Sequence, residues 1–401
     1  MALISIEEPH GTGQTKHTFA NHPLWGLGFR PFYLLAAIFA VISLPLWIVQ
    51  YLHGLPALPN VGLFWHMHEM IFGLAAAVIV GFVFTGARNW TGLWTPRGMH
   101  LAALAGLWLA GRFAMLFIHP GIAAVIDIAF LPCAAWSIYR VLYRSGNKRN
   151  MFLVGLLGLL TVANIAFHGA ILGLITFNPI TAMQAAILVV VTIESVIGGR
   201  VIPGFTSNGV PGTKPVVNPK RDRIAITLAV VTSIAWILSL PAPLVAALAI
   251  ATGCAQLVRI AGWKPHRTIR NPLVWILQLS YAWIPIGFIL LALSSLNFVS
   301  NSAAFHALTV GSMAGLMIGM MTRTALGHTG RQLKAGRSEL VMYLLIQLAA
   351  IARVCAAIHP SASLRNGALT LAAISWTSAF LLYVVIYGPY LYRARIDGKE
   401  G

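Results

Sequence analysis

Long apolar runs alternate with short polar connections along almost the whole chain. A helix that crosses the hydrocarbon core of a bilayer needs about 20 mostly apolar residues, and on that length the sequence divides into about twelve spans. Several connections are only a Pro, Gly or Asn pivot, such as His119-Pro120-Gly121 and Asn178-Pro179. Neighbouring helices are therefore expected to form antiparallel hairpins. The predicted spans are 32–52, 64–86, 99–118, 121–143, 151–175, 179–198, 223–240, 242–262, 272–295, 302–322, 339–358 and 365–391.

This pattern predicts an all-α polytopic membrane bundle. We expect one bundle domain over 32–391, between a cytoplasmic N-terminal segment, 1–31, and a cytoplasmic C-terminal tail, 392–401. The N-terminal segment is polar and lacks the short apolar region and cleavage site of a signal peptide, so we expect it to be retained. The composition agrees with a membrane protein, because 58% of the 401 residues are hydrophobic and only 9% are charged. Soluble domains of this length are not built in this way.

The Lys and Arg residues give the predicted orientation. Cytoplasmic loops of membrane proteins carry an excess of these residues. If both termini are cytoplasmic, all 27 basic residues except Arg112, Arg353 and Arg365 lie on the cytoplasmic side. The net charge of +18 is then explained by the loops, and we exclude nucleic-acid binding. The 3 cysteines lie in separate apolar runs, which argues against a disulfide framework or a CxxC metal site.

Histidines and charges inside the predicted spans gather near the outer face of the membrane. Ionisable groups at this depth are costly to desolvate and are therefore candidates for a functional site. These residues come from at least six different spans, so their shared depth indicates that they converge. They are His66, His68, Arg112, Asp127, His168, His306 and Arg353.

Imidazole is a common ligand of haem iron and copper, and a haem b held between two helices takes one histidine from each. His66 and His68 lie about 200° apart around a helix, so they cannot both face one metal unless the helix unwinds. One is expected to face a haem while the other serves a second metal centre. Glu69 follows His66 by three residues and is expected to orient its imidazole. Arg112 and Arg353 are expected to bind the two haem propionates.

We favour His68 and His306 as the haem ligands, with His66 and His168 as ligands of copper or as groups that support the ligands. A single membrane histidine can equally be a hydrogen-bonded packing group, and for His168 the two interpretations are balanced. Asp127 could also simply neutralise Arg112, in which case neither residue touches a cofactor.

A second polar group lies at the inner ends of the sixth and tenth spans. It could form a pocket for a quinol or another substrate. Gly, Pro and Arg are also expected at cytoplasmic helix ends for structural reasons alone, so the pocket and the structural interpretation stay open. The residues concerned are Glu194, Arg200, His328 and Arg331.

Eight short motifs follow one another from the second to the tenth span. They are Trp65-His66-Met67-His68-Glu69-Met70 with Gly73, Asn89-Trp90-Thr91-Gly92, Gly111-Arg112, Asp127 with Phe130-Leu131-Pro132, Asn164 with Phe167-His168, Gly198-Gly199-Arg200 with Pro203 and Phe205-Thr206, His306 with Gly311, and Leu326-Gly327-His328-Thr329-Gly330-Arg331. In this order they resemble the NnrS family of bacterial membrane proteins.

This resemblance implies a multi-pass protein of the bacterial inner membrane that carries haem and copper, with a role in nitric oxide metabolism and in tolerance of nitrosative stress. We expect the haem to be of b type, with nitric oxide or a metal–nitrosyl species as the partner and a quinol or another molecule as electron donor. The starts of spans two and ten also resemble the low-spin haem site of haem–copper oxidases. The sequence lacks the His-His dipeptide that the oxidase pattern requires.

Two other functions stay open. The same polar residues could line the path of a transporter or metal-delivery protein, from the outer histidines to Glu194. A haem-based sensor of nitric oxide, or an assembly partner of another membrane complex, is the second alternative. No Walker A, GxSxG, HExxH or Rossmann fingerprint is present in the sequence, which argues against ATP-driven transport and the common soluble chemistries. Whether the protein is an enzyme is not predicted.

Overall fold

The fold is an all-helical bundle in the computed structural model, which describes residues 19–399. Most of the predicted N-terminal segment lies outside the described residues. The long helices are α1 (Phe29–His53), α2 (Leu63–Thr91), α3 (Gly98–Phe117), α4 (Pro120–Arg144), α5 (Phe152–Ile171), α6 (Pro179–Gly209), α7 (Pro219–Ile237), α8 (Ala242–Gly262), α9 (Pro272–Ser295), α10 (Asn301–His328), α11 (Arg337–Ile358) and α12 (Ala362–Tyr392). Short 3₁₀ turns cover Phe19–Asn21, Pro23–Trp25, Lys148–Asn150 and Pro265–Thr268.

Each predicted span corresponds to one of these helices, so the predicted polytopic bundle is confirmed. Eleven of the helices are long and apolar enough to cross a membrane, which implies contact with a lipid bilayer. The twelfth is α7, whose first turn contains Lys220, Arg221, Asp222 and Arg223. Helix α6 runs well beyond its predicted end at 198, because Gly198-Gly199 and Pro203 lie inside the helix and do not terminate it.

Helices α2 and α10 form the centre of the bundle. In the most apolar 18-residue stretch of each helix, 83% of the residues are buried in α2 and 72% in α10, compared with 33% in α1. Both helices contain a π-helical segment, Glu69–Ala75 in α2 and Ala307–Ala314 in α10. Such segments are rare in proteins and are frequent at functional sites. They begin directly after His68 and His306, so both central helices change their winding immediately after a histidine.

The start of α1 and the end of α12 lie at the same face of the bundle. The Arg30 guanidinium, at the start of α1, donates a hydrogen bond of 2.9 Å to the carbonyl oxygen of Leu391, at the end of α12. On the opposite face, the Asn60 side chain in the α1–α2 connection donates a hydrogen bond of 2.9 Å to the carbonyl oxygen of Leu116, near the end of α3. These contacts fit twelve helices of alternating direction. The orientation with both termini in the cytoplasm, and the domain limits, stay predictions.

Candidate functional site

Four histidines at one end of the bundle belong to two adjacent clusters. We call the first the carboxylate cluster, and its residues come from α2, α3, α4 and α5. They are His68, Glu69, Arg112, Asp127, Asn164 and His168. We call the second the paired-histidine cluster, and its residues come from α1, α2, α10 and α11. They are Trp47, His66, Ser302, His306 and Arg353.

In the carboxylate cluster, oxygen atoms face both ring nitrogens of His68. Nδ1 lies 3.0 Å from Oε1 of Glu69. Nε2 lies 3.1 Å from Oδ2 of Asp127 and 3.0 Å from Oδ1 of Asn164. The His68 side chain is fully buried. An imidazole that carries a proton on each nitrogen donates to all these acceptors, so the surroundings suit the imidazolium form.

Arg112 connects the two carboxylates of this cluster. Its Nη1 donates a hydrogen bond of 2.8 Å to Oε2 of Glu69, and its Nη2 donates to Oδ1 of Asp127. Its Nε also donates to the carbonyl oxygen of Trp108, at 3.4 Å. Arg112 and an imidazolium at His68 balance the charges of Glu69 and Asp127. Such compensation is what buried ionic groups require.

Asp127 lies between two imidazoles, because its Oδ2 is 3.1 Å from Nε2 of His68 and 3.1 Å from Nε2 of His168. Each of these three residues offers one ligand atom, and the three atoms lie within 4.8 Å of one another. A tetrahedral metal with bonds of about 2.0 Å separates its ligand atoms by roughly 3.3 Å. The group could therefore hold a metal ion once the protons of its hydrogen bonds are released. Two imidazoles and one carboxylate suit non-haem iron(II), copper(II) or zinc.

Gly73, in the π-helical segment of α2, leaves room for the carboxylate cluster. A Cβ atom at this position would lie 2.7 Å from a ring carbon of Phe39. It would also lie 3.0 Å from Nη1 of Arg112 and 3.0 Å from Oε2 of Glu69. The Gly73 carbonyl oxygen accepts a hydrogen bond of 2.9 Å from the indole of Trp108. The absence of a side chain thus lets α3 and the ion pair approach α2 closely.

In the paired-histidine cluster, His66 is half-buried and stacks on Trp47. The ring centroids are 5.0 Å apart and the ring planes differ by 7°. Nδ1 of His66 is buried and has no hydrogen-bond partner among the residues that the structure describes. An unpaired buried ring nitrogen costs free energy, so this nitrogen is suited to receive a ligand or to turn toward one.

His306 is close enough to His66 for the two side chains to interact electrostatically, and both histidines interact in the same way with Arg353. Nδ1 of His306 donates a hydrogen bond of 2.7 Å to the carbonyl oxygen of Ser302. This bond fixes the tautomer and leaves the lone pair on Nε2 free for a metal. Arg353 donates to Oγ of Ser302 at 3.0 Å. Within 19–399, no carboxylate lies at ion-pair distance from Arg353.

The structure groups the predicted residues differently from the favoured assignment. His306 shares a cluster with His66, whereas His68 shares one with His168. The 200° separation of His66 and His68 places them in different clusters, as the helix geometry requires. Glu69 contacts the ring of His68 and not that of His66, because Arg112 holds its carboxylate on the side of the carboxylate cluster.

Arg112 is already engaged by two carboxylates, which corresponds to the alternative in which Asp127 neutralises it. No role was predicted from the sequence for Trp47, Asn164 or Ser302. For Asn164 a signal was present, because it precedes His168 by four residues and therefore lies on the same helix face. Trp47 and Ser302 carry no such signal, since their contacts depend on how the helices pack.

The inner polar residues have separate neighbours. Arg200 donates a hydrogen bond of 3.0 Å to Asn150 beside α5. His328 packs against Phe29 of α1, with ring centroids 5.5 Å apart. Arg331 lies 3.7 Å above the ring of Tyr390 in α12. Glu194 lies deeper in the bundle and faces Ser312 of α10. The described contacts do not join these four residues into one pocket.

The model of the family described as NnrS protein matches residues 23–395. The chain belongs to the NnrS family. Both clusters lie inside the matched region, so they are features of the family domain and not of an added segment. The resemblance inferred from the eight motifs is thereby confirmed. No curated protein matches the chain.

Proposed function

We propose that this NnrS-family protein binds haem and copper in the bacterial inner membrane and acts in nitric oxide metabolism and in resistance to nitrosative stress. One observation carries the proposal. Two adjacent histidine clusters lie at the same end of the central helices, and each offers a different set of ligands. This arrangement supports two metal centres close to each other, as the family resemblance implies.

The paired-histidine cluster suits haem. His66 and His306 come from different helices, and each keeps a ring nitrogen that no described residue occupies. Both residues are half-buried, so neither is fully enclosed by the protein. The geometry therefore favours His66 and His306 as the residues that would hold the haem, in place of His68 and His306. Haem iron held there would supply one-electron chemistry.

Other side chains of this cluster hold the ligands in position. The Ser302 carbonyl oxygen fixes the tautomer of His306. Trp47 fixes the ring plane of His66. Arg353 lacks a carboxylate partner within the described chain and can bind a haem propionate in a bidentate manner. Arg112 is not available for this role, because Glu69 and Asp127 occupy its guanidinium.

The carboxylate cluster suits the second metal. His68, Asp127 and His168 would be the ligands. Arg112 and Asn164 hold Asp127 in place, and Glu69 orients the ring of His68. This donor set also fits non-haem iron. Copper is proposed because the family resemblance implies it.

An optical spectrum and metal analysis of the purified protein test this assignment. We expect haem bands that change on reduction and on addition of nitric oxide, together with bound copper. His66→Ala and His306→Ala should lose haem and keep copper. His68→Ala and His168→Ala should lose copper and keep at least part of the haem. The control is His100→Ala, since His100 is exposed at the start of α3.

The outcomes separate the alternatives. If His68→Ala lost haem while His66→Ala kept it, His68 and His306 would be the residues that hold the haem. A folded parent protein without a chromophore, grown with haem supplied, would contradict the haem proposal and support the transporter alternative. A haem protein that binds nitric oxide without turning it over would support the sensor alternative.

A further inference from the structure

A pocket at the predicted cytoplasmic end of the bundle is separate from both histidine clusters. It lies between α6, α7 and α8 and holds about 610 Å³ of space, which is within the range of about 300–1,000 Å³ that is usual for small-ligand sites. Four arginines and one aspartate line it, so its lining has a net charge of +3. The arginines come from these three helices and from the 3₁₀ turn before α5. The charged residues are Arg149, Arg200, Arg223, Arg259 and Asp222.

Three of these guanidinium groups are exposed and have no carboxylate partner within 19–399. They belong to Arg149, Arg200 and Arg223. Arg200 donates a hydrogen bond of 3.0 Å to Asn150, and it is close enough to Arg149 for the two cations to repel each other. A cleft lined by charges of one sign concentrates counter-ions. These three cations are therefore available to an anion.

Arg259 is the buried cation of the pocket, with only 4% of its surface exposed. Its Nε donates a hydrogen bond of 2.7 Å to Oδ1 of Asp222. Its Nη1 donates to the carbonyl oxygen of Ser195 at 2.7 Å and to the hydroxyl of Tyr281 at 2.6 Å. Its Nη2 makes no hydrogen bond to any described residue and lies against Gly199, which also lines the pocket. A firmly held guanidinium thus keeps one donor nitrogen unused beside the pocket.

The uncharged part of the lining is mainly apolar. Val196, Val217 and Ile226 belong to it, and Val217 is half-exposed. The start of α7 adds few donors, because the Asn218 side chain already accepts hydrogen bonds from two backbone N–H groups of the first turn, at 3.0 and 3.2 Å. The arginines therefore supply the polar contacts of the pocket, and the apolar side chains suit a hydrocarbon chain.

We infer that this pocket binds an anion with one or more phosphate groups, held by Arg149, Arg200 and Arg223 and by Nη2 of Arg259. Guanidinium groups bind phosphate oxygens in a bidentate manner. The phosphate can come from an anionic phospholipid or from a soluble phosphate compound. The apolar lining favours the phospholipid, and basic pockets between helices on the cytoplasmic side are typical sites for such headgroups. This binding does not depend on haem or copper.

Native mass spectrometry of the full-length protein, purified in detergent and freed of lipid, tests the inference. The added ligands are cardiolipin, phosphatidylethanolamine and, in a separate titration, pyrophosphate. Cardiolipin carries two phosphate groups and a net negative charge, whereas phosphatidylethanolamine has no net charge. We expect cardiolipin to bind about tenfold more tightly than phosphatidylethanolamine, or better. Binding of pyrophosphate without this preference for cardiolipin would assign the site to a soluble phosphate compound.

Two kinds of variant locate the site. Combined replacement of the three exposed arginines, Arg149→Gln, Arg200→Gln and Arg223→Gln, should weaken binding by about tenfold or more, because it removes three charge-assisted contacts. The matched control removes the same charge from exposed arginines outside the pocket and should bind nearly as the parent does. It combines Arg267→Gln, Arg270→Gln and Arg337→Gln.

Gly204→Trp fills the pocket while keeping every arginine. A Cβ at Gly204 meets nothing within 4 Å, so we expect the variant to fold and to lose binding. Gly155→Trp on α5 is its control, because a Cβ there is equally free and the residue does not line the pocket.

Equal affinity of the parent, the triple pocket variant and Gly204→Trp for both cardiolipin and pyrophosphate would overturn the inference. The same loss in both triple variants would also overturn it, because binding would then follow the net charge of the face and not the pocket. Folding of each variant is checked by size-exclusion chromatography. If the triple pocket variant does not fold, Gly204→Trp and its control decide the question.

Discussion

Arg112 and Arg353 occupy opposite electrostatic surroundings at the same end of the bundle. Arg112 is buried and bonded to Glu69 and Asp127. Arg353 contacts the hydroxyl of Ser302 and has no carboxylate partner in the described part of the chain. The same role, binding of a haem propionate, was predicted for both residues from the sequence. Their difference arises because the two acidic residues of this end lie on α2 and α4, beside α3, and not beside α11.

Because of this difference, substitution by leucine is expected to affect stability at Arg112 and haem content at Arg353. Arg112→Leu leaves two buried carboxylates with the imidazolium of His68 as the one cation that bonds to both of them, and breaking a buried ion pair by removing one partner costs about 3–5 kcal/mol. We expect a clear fall in the thermal unfolding temperature. Arg353→Leu removes a cation that has no protein counter-ion, so we expect an unchanged unfolding temperature of the haem-free protein but a lower haem content.

Thermal unfolding in detergent and a pyridine haemochrome assay check the two outcomes. Arg353→Lys is the conservative control, and it should recover part of the haem because it keeps the charge but not the bidentate geometry. Full haem content in Arg353→Leu would exclude a propionate contact. Unchanged stability of Arg112→Leu would mean that the carboxylate cluster is not held together by its ion pairs.

At the residue scale, the sequence predicted how deep the histidines lie in the membrane but not which residues they contact. Hydropathy and charge bias indicated that His66, His68 and His306 lie near one face of the membrane. They could not indicate which histidines meet, because this depends on the rotation of each helix about its axis. The spans are apolar on all sides, so the sequence contains little information about that rotation. The paired arrangement of His66 with His306 therefore became visible only in the folded structure.

At the element scale, the π-helical segments of α2 and α10 are the main departure from uniform helices. A π turn takes up more residues than an α turn, so it shifts the helix face that follows it. Nothing in the apolar pattern indicated these segments. Both contain a glycine in close contact with a neighbouring helix, Gly73 against Phe39 and Gly311 against the ring of Trp283. The glycines let the altered helices pack closely.

Gly311→Ala should destabilise the protein. The added Cβ would overlap the Trp283 ring, which has no flexible end that could move aside. Overpacking of a filled interior costs about 1–3 kcal/mol. Gly158→Ala on α5 is the matched control, because a Cβ there meets nothing within 4 Å. It should be neutral or stabilise the helix by up to about 1 kcal/mol.

The unfolding temperatures of both variants are measured by tryptophan fluorescence in the same detergent and compared with that of the parent. The expected result is a lower unfolding temperature for Gly311→Ala and no decrease for Gly158→Ala. Equal unfolding temperatures would show that α9 and α10 can separate at this point without cost. The close approach of α9 to the π-helical segment would then not stabilise the fold.

At the scale of the whole molecule, the number of long helices and the family could be read from the sequence, because both depend on order along the chain. Helix lengths follow from bilayer thickness, and the motifs follow one another from α2 to α10. The central position of α2 and α10 depends on three-dimensional packing and was not predicted.

Helix α7 decides the topology of the second half of the chain. It is the one long helix of the described residues that is not apolar enough to be a candidate span. Its charged first turn lies at its start, where the positive-inside rule expects basic residues, and the remaining residues from Ile224 onward are mostly apolar. We therefore predict that α7 crosses the membrane, with its first turn in the cytoplasm.

Cysteine labelling on the two sides of α7 tests this prediction and the orientation together. Lys214→Cys and Ser239→Cys, each in a background without Cys133, Cys254 and Cys355, are exposed positions before and after the helix. A membrane-impermeant maleimide should label Ser239→Cys in intact cells and Lys214→Cys only after the inner membrane is opened. The reverse result would invert the bundle and move both histidine clusters to the cytoplasmic side. Labelling of both positions from one side would mean that α7 does not cross the membrane.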